Sequence, residues 1–229
     1  MRGDQRGGHE LPPWLQALFR RSFAGDCAER VVGFGAGFGA FGAFAHTEFA
    51  VWEEQLRLML VNTARLSHVA LRGMLARRRG ALVNISSIAG EFGLPYQAIY
   101  NTTKAGLSAL NESLMYELSG TGVIMIDFRP GDYRTNFEGS VRRPEQAVGW
   151  VHDTINTARM SRAWSSFVAL MRSGPAPVHA AESLRRTLLR GRSGTVRTGR
   201  FVQAHLGPFL ARFGSLAFKR KVQEKYFGL

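Results

Sequence analysis

The chain has 229 residues, of which 45% are hydrophobic and 21% charged, so it fits one globular domain and is neither disordered nor fibrous. Its single cysteine, Cys27, excludes an internal disulfide. No Cys/His cluster has ligand spacing, so we expect no metal site. The absence of a disulfide fits a reducing compartment, and we expect a cytoplasmic location. The longest apolar run, residues 31–45, contains five glycines and is too short to span a bilayer. We also expect no signal peptide.

The positive charge lies mainly at the C-terminal end of the chain. The net charge is +13, and residues 185–229 hold eleven Lys/Arg against Glu224 alone, which is +10 of that total. Such basicity can favour nucleic acid, anionic membranes or phosphorylated ligands. We expect no nucleic-acid binding, because the segment has no recognisable binding motif beyond its charge.

Hydrophobic periodicity predicts alternating strands and helices along the first two thirds of the chain. Thr47 is the predicted cap of the second helix, and Gly120 to Gly122 close the third. Near-continuous apolar strands alternating with helices are typical of a parallel sheet covered on both faces, with its chemistry at the carboxyl ends of the strands. The predicted helices are 14–23, 47–78 and 96–118, and the predicted strands are 29–34, 80–86 and 123–128.

We interpret the chain as one domain with four successive parts. Residues 1–28 form a leader and first helix, residues 29–140 a catalytic core, residues 141–184 a substrate flap, and residues 185–229 a basic tail. Helices are expected around Trp150, Trp164 and Leu170. Phe, Trp and Met side chains between residues 133 and 171 indicate an apolar small-molecule substrate.

A phenol and an ammonium stand four residues apart in Tyr100-Asn-Thr-Thr-Lys104, on one face of a predicted helix. Alone, that spacing is common on surface helices. Thirteen residues earlier, however, Ser87 ends a predicted strand, and 26 residues after Lys104 another strand ends in Pro130-Gly131. These groups would therefore meet at one edge of the sheet. Ser86 is the alternative serine and is interpreted as structural.

The pattern resembles the active-site block of the short-chain dehydrogenase/reductase family. The likeness covers roughly residues 30–140 and implies a Rossmann-like, doubly wound α/β fold. The matching segments are Leu60-Val-Asn62, Asn84-Ile-Ser-Ser87, Ala89-Gly90, Pro95, Tyr100-x-x-x-Lys104 and Pro130-Gly131.

The resemblance implies a role for each matching residue. Tyr100 would be the acid/base, and the Lys104 ammonium would bring the pKa of that phenol closer to neutrality. Ser87 would hydrogen-bond the substrate oxygen, and Asn62 would anchor a water that connects Lys104 to solvent. A cofactor, NAD(H) or NADP(H), would be met by Ala36, Gly37, Pro130, Gly131 and Thr135.

The cofactor-binding half predicted by the resemblance is incomplete in this sequence. The family opens with a strand, a glycine-rich turn and a helix that hold the pyrophosphate. Here about 33 residues precede the segment Phe34-Gly-Ala-Gly37, enough for about one βα unit. We therefore expect a partial sheet that lacks the first strands and the phosphate-binding turn, an N-terminally truncated member of the family. Gly37-x-Gly39-x-x-Gly42 fits the dinucleotide pattern, but we interpret it as a loop that lines the cleft.

Several functions remain open at this point. The first is a dehydrogenase or reductase that acts on a carbonyl or alcohol. The second is a cofactor-independent isomerase, dehydratase or cyclase with the same acid/base residues, and the third is a non-catalytic subunit. A start at an internal methionine of a longer protein is a further reading. The helices 47–78 and 96–118 resemble those through which the family dimerises, so we expect a homodimer.

The basic tail repeats apolar residues at nearly helical spacing from Phe201 to Phe218. We expect it to pack on the body over the substrate cleft, so that its removal lowers stability. Its amphipathic, basic character leaves peripheral contact with an anionic membrane as the alternative.

Overall fold

The computed structural model of the chain describes residues 31–35, 37–143 and 154–229. The predicted helix 14–23, the candidate cofactor residue Ala36 and the predicted helical position Trp150 lie outside these residues. Bounds and contacts below refer to the described ranges alone.

A parallel sheet of four strands forms the centre of the described fold. Its order is β1-β3-β4-β6, and each neighbouring pair is parallel. β2 and β5 form a separate two-residue pairing. In chain order the strands are β1 (Val31–Phe34), β2 (Gly39–Ala40), β3 (Gly80–Ile85), β4 (Val123–Pro130), β5 (Val141–Arg142) and β6 (Gly194–Thr198). The three strands predicted for this sheet are confirmed, and within the described residues β1 is an edge.

Helices cover both faces of the sheet, as predicted for a doubly wound fold. On one face, Leu71 and Met74 of α2 pack with Leu82 and Met125 of the strands. On the other, Leu184 of α5 packs with strand residues. The helices are α1 (Phe49–Leu56), α2 (Asn62–Arg77), α3 (Ala98–Glu117), α4 (Thr154–Arg172), α5 (Val178–Arg190), α6 (Gly207–Phe213) and α7 (Leu216–Phe227), with π-helical turns at Arg57–Val61 and Val202–Leu206. Across the described ranges, no helix combines the length and apolar character needed to cross a bilayer.

Two details of the sequence prediction are wrong. Thr47 does not cap the second helix, since Glu48 holds the N-cap position and the Thr47 hydroxyl donates to the Ala43 carbonyl at 3.0 Å. The segment after residue 185 is more than a tail, because it contains the end of α5 and the whole of β6. β6 was missed because Gly194-Thr-Val-Arg-Thr198 has a single large apolar residue.

The C-terminal residues form two successive helices joined by a short turn, a unit called the hairpin below although its helices do not pack along each other. α6 and α7 are joined at Gly214 and Ser215, and the Ser215 hydroxyl accepts a hydrogen bond from the Phe218 amide at 3.2 Å. The expected packing on the body is present at the two ends of this hairpin. Ala204 is buried before α6, and Phe227 is buried against a cluster that includes Phe41.

Candidate active site

The loop between β3 and α3 is fixed to the helix by one side chain. The Asn101 amide donates to the Ala89 carbonyl at 2.6 Å and to the Phe92 carbonyl at 2.9 Å, and its oxygen accepts from the Leu94 amide at 3.1 Å. Gly90 allows the loop to approach, because a Cβ there would lie 2.8 Å from the carbonyl carbon of Lys104. The Ala89-Gly90 motif thus holds the loop against α3. Sequence reasoning missed Asn101, although it lies beside Tyr100.

The two serines at the end of β3 have different roles. Ser86 is buried, and its hydroxyl donates to the Asp127 carboxylate at 2.5 Å. The Ser87 hydroxyl accepts from the Ala89 amide at 3.1 Å, lies 3.4 Å from the Pro130 carbonyl, and is close enough to Tyr100 to act against the rise in the pKa of its phenol. Ser86 thus has a buried partner within the fold, and the roles assigned to Ser86 and Ser87 stay predictions.

Tyr100 lies in the first turn of α3, partly buried beside Ser87. Burial raises the pKa of its phenol to about 12, opposed by the Ser87 hydrogen bond and assisted by the negative charge of Asp132. We expected Lys104 to lower this pKa, and that expectation is wrong for this structure. The cost of desolvating a phenolate exceeds the stabilisation available to it. Tyr100 is therefore a neutral proton donor near pH 7.

Lys104 lies one turn after Tyr100, inside the protein. Its ammonium donates to the Ile85 carbonyl at 2.9 Å and lies 5.7 Å from the centroid of the Tyr100 ring. Burial lowers the pKa of Lys104 to about 8, and the negative charge of Asp127 opposes that shift. The helical spacing thus places a positive charge beside the phenol, as predicted, and that charge titrates near neutrality.

A buried carboxylate beneath the site holds several polar side chains in place. Asp127 accepts hydrogen bonds from Ser86, from Asn111 at 2.9 Å and from Arg129 at 2.6 Å. Arg129 continues the network to Glu91 at 2.8 Å. A buried charge needs such partners, and here they also fix the strand end that carries Ser87. An acidic residue within an apolar strand was the signal that sequence reasoning did not use.

Asn62 follows a π-helical turn, and its backbone N–H donates to the Arg57 carbonyl five residues earlier. Such turns are frequent at functional sites. The turn faces α3, because a Cβ at Gly106 would lie 3.1 Å from the Leu60 side chain. Asn62 is therefore on the segment that packs beside Lys104, and its role in holding a water stays a prediction.

The turn after β4 carries three of the predicted cofactor residues. Gly131 follows Pro130, and its amide donates to the Thr198 carbonyl at 2.7 Å. The Gln203 side-chain oxygen lies over Gly131, 2.8 Å from where a Cβ would be, and accepts from the Asp132 amide at 3.2 Å. Thr135 accepts from the Phe137 amide at 3.3 Å. Sequence reasoning missed Gln203, which comes from a distant segment.

An aromatic wall lies beside the phenol. The rings of Phe137 and Tyr100 are 6.2 Å apart between centroids. Phe137 packs against a cluster in which the Phe41 ring lies 5.7 Å from that of Tyr96 and 5.2 Å from that of Trp164. This wall brings residues of the flap and of the glycine-rich segment to the site. Individual contacts of this kind are not readable from local sequence pattern.

The glycine-rich segment does not offer a phosphate cradle. The Phe41 amide donates to the Arg142 carbonyl at 3.0 Å, and the Gly42 amide donates to the Tyr96 carbonyl at 2.9 Å. A short 3-10 turn at Phe44–His46 follows, where a phosphate-binding turn would lead into a helix. The described residues could therefore meet a dinucleotide on the reacting side, at Gly37, Gly131 and Thr135, but they do not fit its pyrophosphate.

Metal-ligating side chains are not grouped in the described ranges: no set of three or more His, Cys, Asp or Glu could hold an ion there. The polar groups at the site are accordingly the hydroxyls, the ammonium and the backbone amides already described.

Sequence comparison finds the same family as the motifs. A family model described as short chain dehydrogenase matches residues 31–146, half of the chain. The chain is 38% identical over 96 residues to the inactive 2-(S)-hydroxypropyl-CoM dehydrogenase 2 of Xanthobacter autotrophicus, covering 42% of each protein. It is 40% identical over 85 residues to the 3-oxoacyl-acyl-carrier-protein reductase FabG of Aquifex aeolicus, covering 37% of this chain and 34% of that one. The matches span about half or less of these relatives.

Solved structures share the fold at low sequence identity. A short-chain dehydrogenase from Streptomyces avermitilis aligns with a TM-score of 0.68 at 23% identity, over 92% of this chain and 75% of that chain. A short-chain dehydrogenase/reductase from Burkholderia phymatum in complex with NAD aligns with a TM-score of 0.67 at 19% identity, over 84% and 67%. These likenesses establish the α/β architecture.

Proposed function

Because the chain belongs to the short-chain dehydrogenase/reductase family, we propose that it is an oxidoreductase that acts on a carbonyl or alcohol of an apolar small molecule. Tyr100 is the proposed acid/base, Ser87 the group that binds the reacting oxygen, and Lys104 the electrostatic partner. The observation that carries this proposal is the position of the Lys104 ammonium 5.7 Å from the ring centroid of the partly buried, neutral Tyr100, with Ser87 just after the adjoining strand β3.

The proton transfer follows from the states of these groups. A phenol with a pKa of about 12 holds its proton at neutral pH and is poised to donate it to a carbonyl oxygen that gains negative charge. The Ser87 hydroxyl stabilises that charge by a second hydrogen bond. Lys104, charged below a pKa of about 8, balances the phenolate that remains. The phenol is thus in the protonated form that carbonyl reduction requires.

The hydride of such a reduction comes from a nicotinamide dinucleotide in this family. Gly37, Gly131 and Thr135, with Ala36 and Pro130 beside them in sequence, are the proposed contacts on the reacting side. Since the described residues do not fit a pyrophosphate, we assign no hydride step to this chain. If the protein is an oxidoreductase, we accordingly expect its KM for the dinucleotide to lie in the millimolar range.

The amides of Phe41 and Gly42 already donate to protein carbonyls. This favours a second candidate, a cofactor-independent acid/base enzyme. Isomerisation, dehydration or cyclisation of a carbonyl compound needs a proton donor and an oxygen site but no dinucleotide. The same three residues would serve in it. The two candidates differ in whether turnover depends on added dinucleotide.

The apolar character of the substrate and the homodimer also remain proposals. Support for the first comes from the Phe137 ring beside Tyr100 and from the apolar cluster of Phe41 against which Phe137 packs. Support for the second comes from exposed apolar side chains on the helices expected to pair, including Leu66, Val69 and Tyr116. Light scattering at micromolar concentration tests the dimer, and a monomeric mass would contradict it.

A panel of apolar ketones and secondary alcohols tests the proposed function. Each compound is incubated with wild type or Tyr100→Phe, with and without millimolar NADH or NADPH, and products are identified by mass spectrometry. Reduction or oxidation that requires the dinucleotide and Tyr100 supports the oxidoreductase. Product that forms without dinucleotide supports the second candidate. Product formed equally by both proteins contradicts both proposals.

A further inference from the structure

The surface of the helical hairpin α6–α7 carries large apolar side chains in water. Phe209, Phe213 and Leu216 expose 58%, 69% and 72% of their area. Phe209 and Phe213 lie one turn apart with ring centroids separated by 5.0 Å, and Leu216 begins the next helix just past the connecting turn. A cluster of this kind on one tip is more than the scattered exposure of ordinary surfaces.

The apolar tip continues along the outward face of the helix that leads into it. Val202, Leu206, Phe209 and Phe213 recur at intervals of four, three and four residues, and all four are exposed. The opposite face carries Ala204 and Pro208, which are buried. The helix is thus amphipathic with its apolar face turned outward, the reverse of a helix that merely covers a core.

Basic side chains follow the apolar tip along the sequence of α6 and α7. Residues 201–229 contain five Lys/Arg against Glu224 alone. Arg212, Lys221 and Lys225 have no ion pair described within residues 31–35, 37–143 and 154–229, whereas Arg220 lies 3.7 Å from Glu224. Exposed apolar side chains on a segment of net positive charge are complementary to lipid tails beneath anionic headgroups.

We propose that the α6–α7 hairpin docks the protein on an anionic membrane surface, inserting Phe209, Phe213 and Leu216 below the headgroups. Charge argues against a second copy, because self-pairing of this face would bring like basic clusters together. The exposed aliphatic side chains of Val202, Leu206 and Leu216 suit lipid tails better than nucleobases, and the segment has no nucleic-acid-binding motif beyond its charge. This inference is independent of the proposed function.

The hairpin is attached to the catalytic body at its two ends. Phe227 is buried with Phe41, and the Gln203 side chain donates to the carboxylate of Asp132 in the turn beside the active site. Arg200 also donates to the Ser173 carbonyl. Docking through the tip would therefore bring the attached catalytic body to the lipid surface.

Co-sedimentation with phosphatidylcholine vesicles, with or without phosphatidylglycerol, tests the proposal on the full chain. The wild type is expected to bind the anionic vesicles, and F209S/F213S/L216S at least about tenfold less, because each apolar side chain loses its burial in lipid. R212Q/K221Q/K225Q is expected to lose binding to anionic vesicles by a similar factor. Leu189→Ser on α5, which removes a side chain with the same 72% exposure as Leu216, is the matched control and should bind as wild type.

Thermal unfolding separates docking from misfolding. All substituted side chains are exposed, so the melting temperatures should stay within about 2 °C of wild type. Absence of wild-type binding to anionic vesicles overturns the proposal, as does equal binding of F209S/F213S/L216S. A concentration-dependent dimer that this variant abolishes, without vesicle binding by wild type, would assign the surface to a second copy instead.

Discussion

The two sides of the cleft differ in how their backbone and polar groups are used. On the reacting side, Asn101 and Asp127 hold the loop and strand end so that Ser87 is presented to Tyr100. On the glycine-rich side, the amides of Phe41 and Gly42 donate to protein carbonyls. One side offers a hydroxyl and a phenol to a ligand. On the other side, the Phe41 and Gly42 amides already donate hydrogen bonds within the protein.

This difference separates proton chemistry from cofactor binding. A preorganised phenol and hydroxyl can act on any carbonyl that reaches them. A pyrophosphate instead needs free amides at a helix start, whereas the glycines here are followed by a three-residue 3-10 turn and the Phe41 and Gly42 amides donate to protein carbonyls. Membership of the family thus accounts for the acid/base residues, while the described residues limit how tightly a dinucleotide can be held.

The largest expected effect is that of Tyr100→Phe on turnover. Removing the phenol removes the proposed proton donor while the ring still packs near Phe137, so kcat should fall by about 10²–10⁴-fold. Steady-state kinetics on a substrate found in the panel measure this. Tyr116→Phe, on the same helix but exposed, is the matched control. Wild-type turnover in the Tyr100 variant would contradict the assignment of Tyr100 as the proton donor.

A pair of glycine substitutions tests how rigid the two sides are. Gly90→Ala places a Cβ 2.8 Å from the backbone of Lys104, whereas Gly37→Ala places one 2.8 Å from the flexible end of Met59. We expect the first to lower the free energy of unfolding by about 1–3 kcal/mol and the second by less than about 1 kcal/mol. Urea denaturation measures both. Equal losses would show that the loop at Gly90 is not specially constrained.

The pH dependence of turnover tests the charge on Lys104. Because the folded-state pKa is about 8, the ammonium is lost above that pH, and kcat/KM should fall about tenfold per pH unit beyond it. The fall in kcat/KM is not expected to come from unfolding caused by deprotonation of Lys104. Between pH 8 and the ordinary pKa of 10.5 the unfolded chain binds more protons, so the contribution of Lys104 to stability rises with pH. A flat profile to pH 10, or the same decline in Lys104→Met, would contradict the assignment.

Local sequence pattern predicted the centre of the fold well. Apolar runs found β3 and most of β4, and helical spacing with closing glycines placed α3 within two residues. β6 was missed because it alternates with Thr and Arg at the edge of the described sheet. The π-helical turn before Asn62 has no Gly or Pro to signal it.

The site was predictable where its residues are close in sequence. Tyr100 and Lys104 share a helix face, and Ser87 ends the preceding strand. Phe137 and Gln203 reach the site by tertiary packing, so no local spacing could place them. The pKa of Tyr100 was predicted in the wrong direction because the extent of burial is a property of the folded protein.

Calorimetric titration of the full chain with NADPH and NADH tests the contrast between the two sides most directly. With only the reacting-side contacts available among the described residues, the account predicts a Kd in the millimolar range or no measurable heat. Binding is weak in this account because the Phe41 and Gly42 amides donate to protein carbonyls and only a three-residue 3-10 turn follows the glycines. A Kd in the micromolar range for either dinucleotide would contradict it, and would establish a phosphate site that the described residues do not provide.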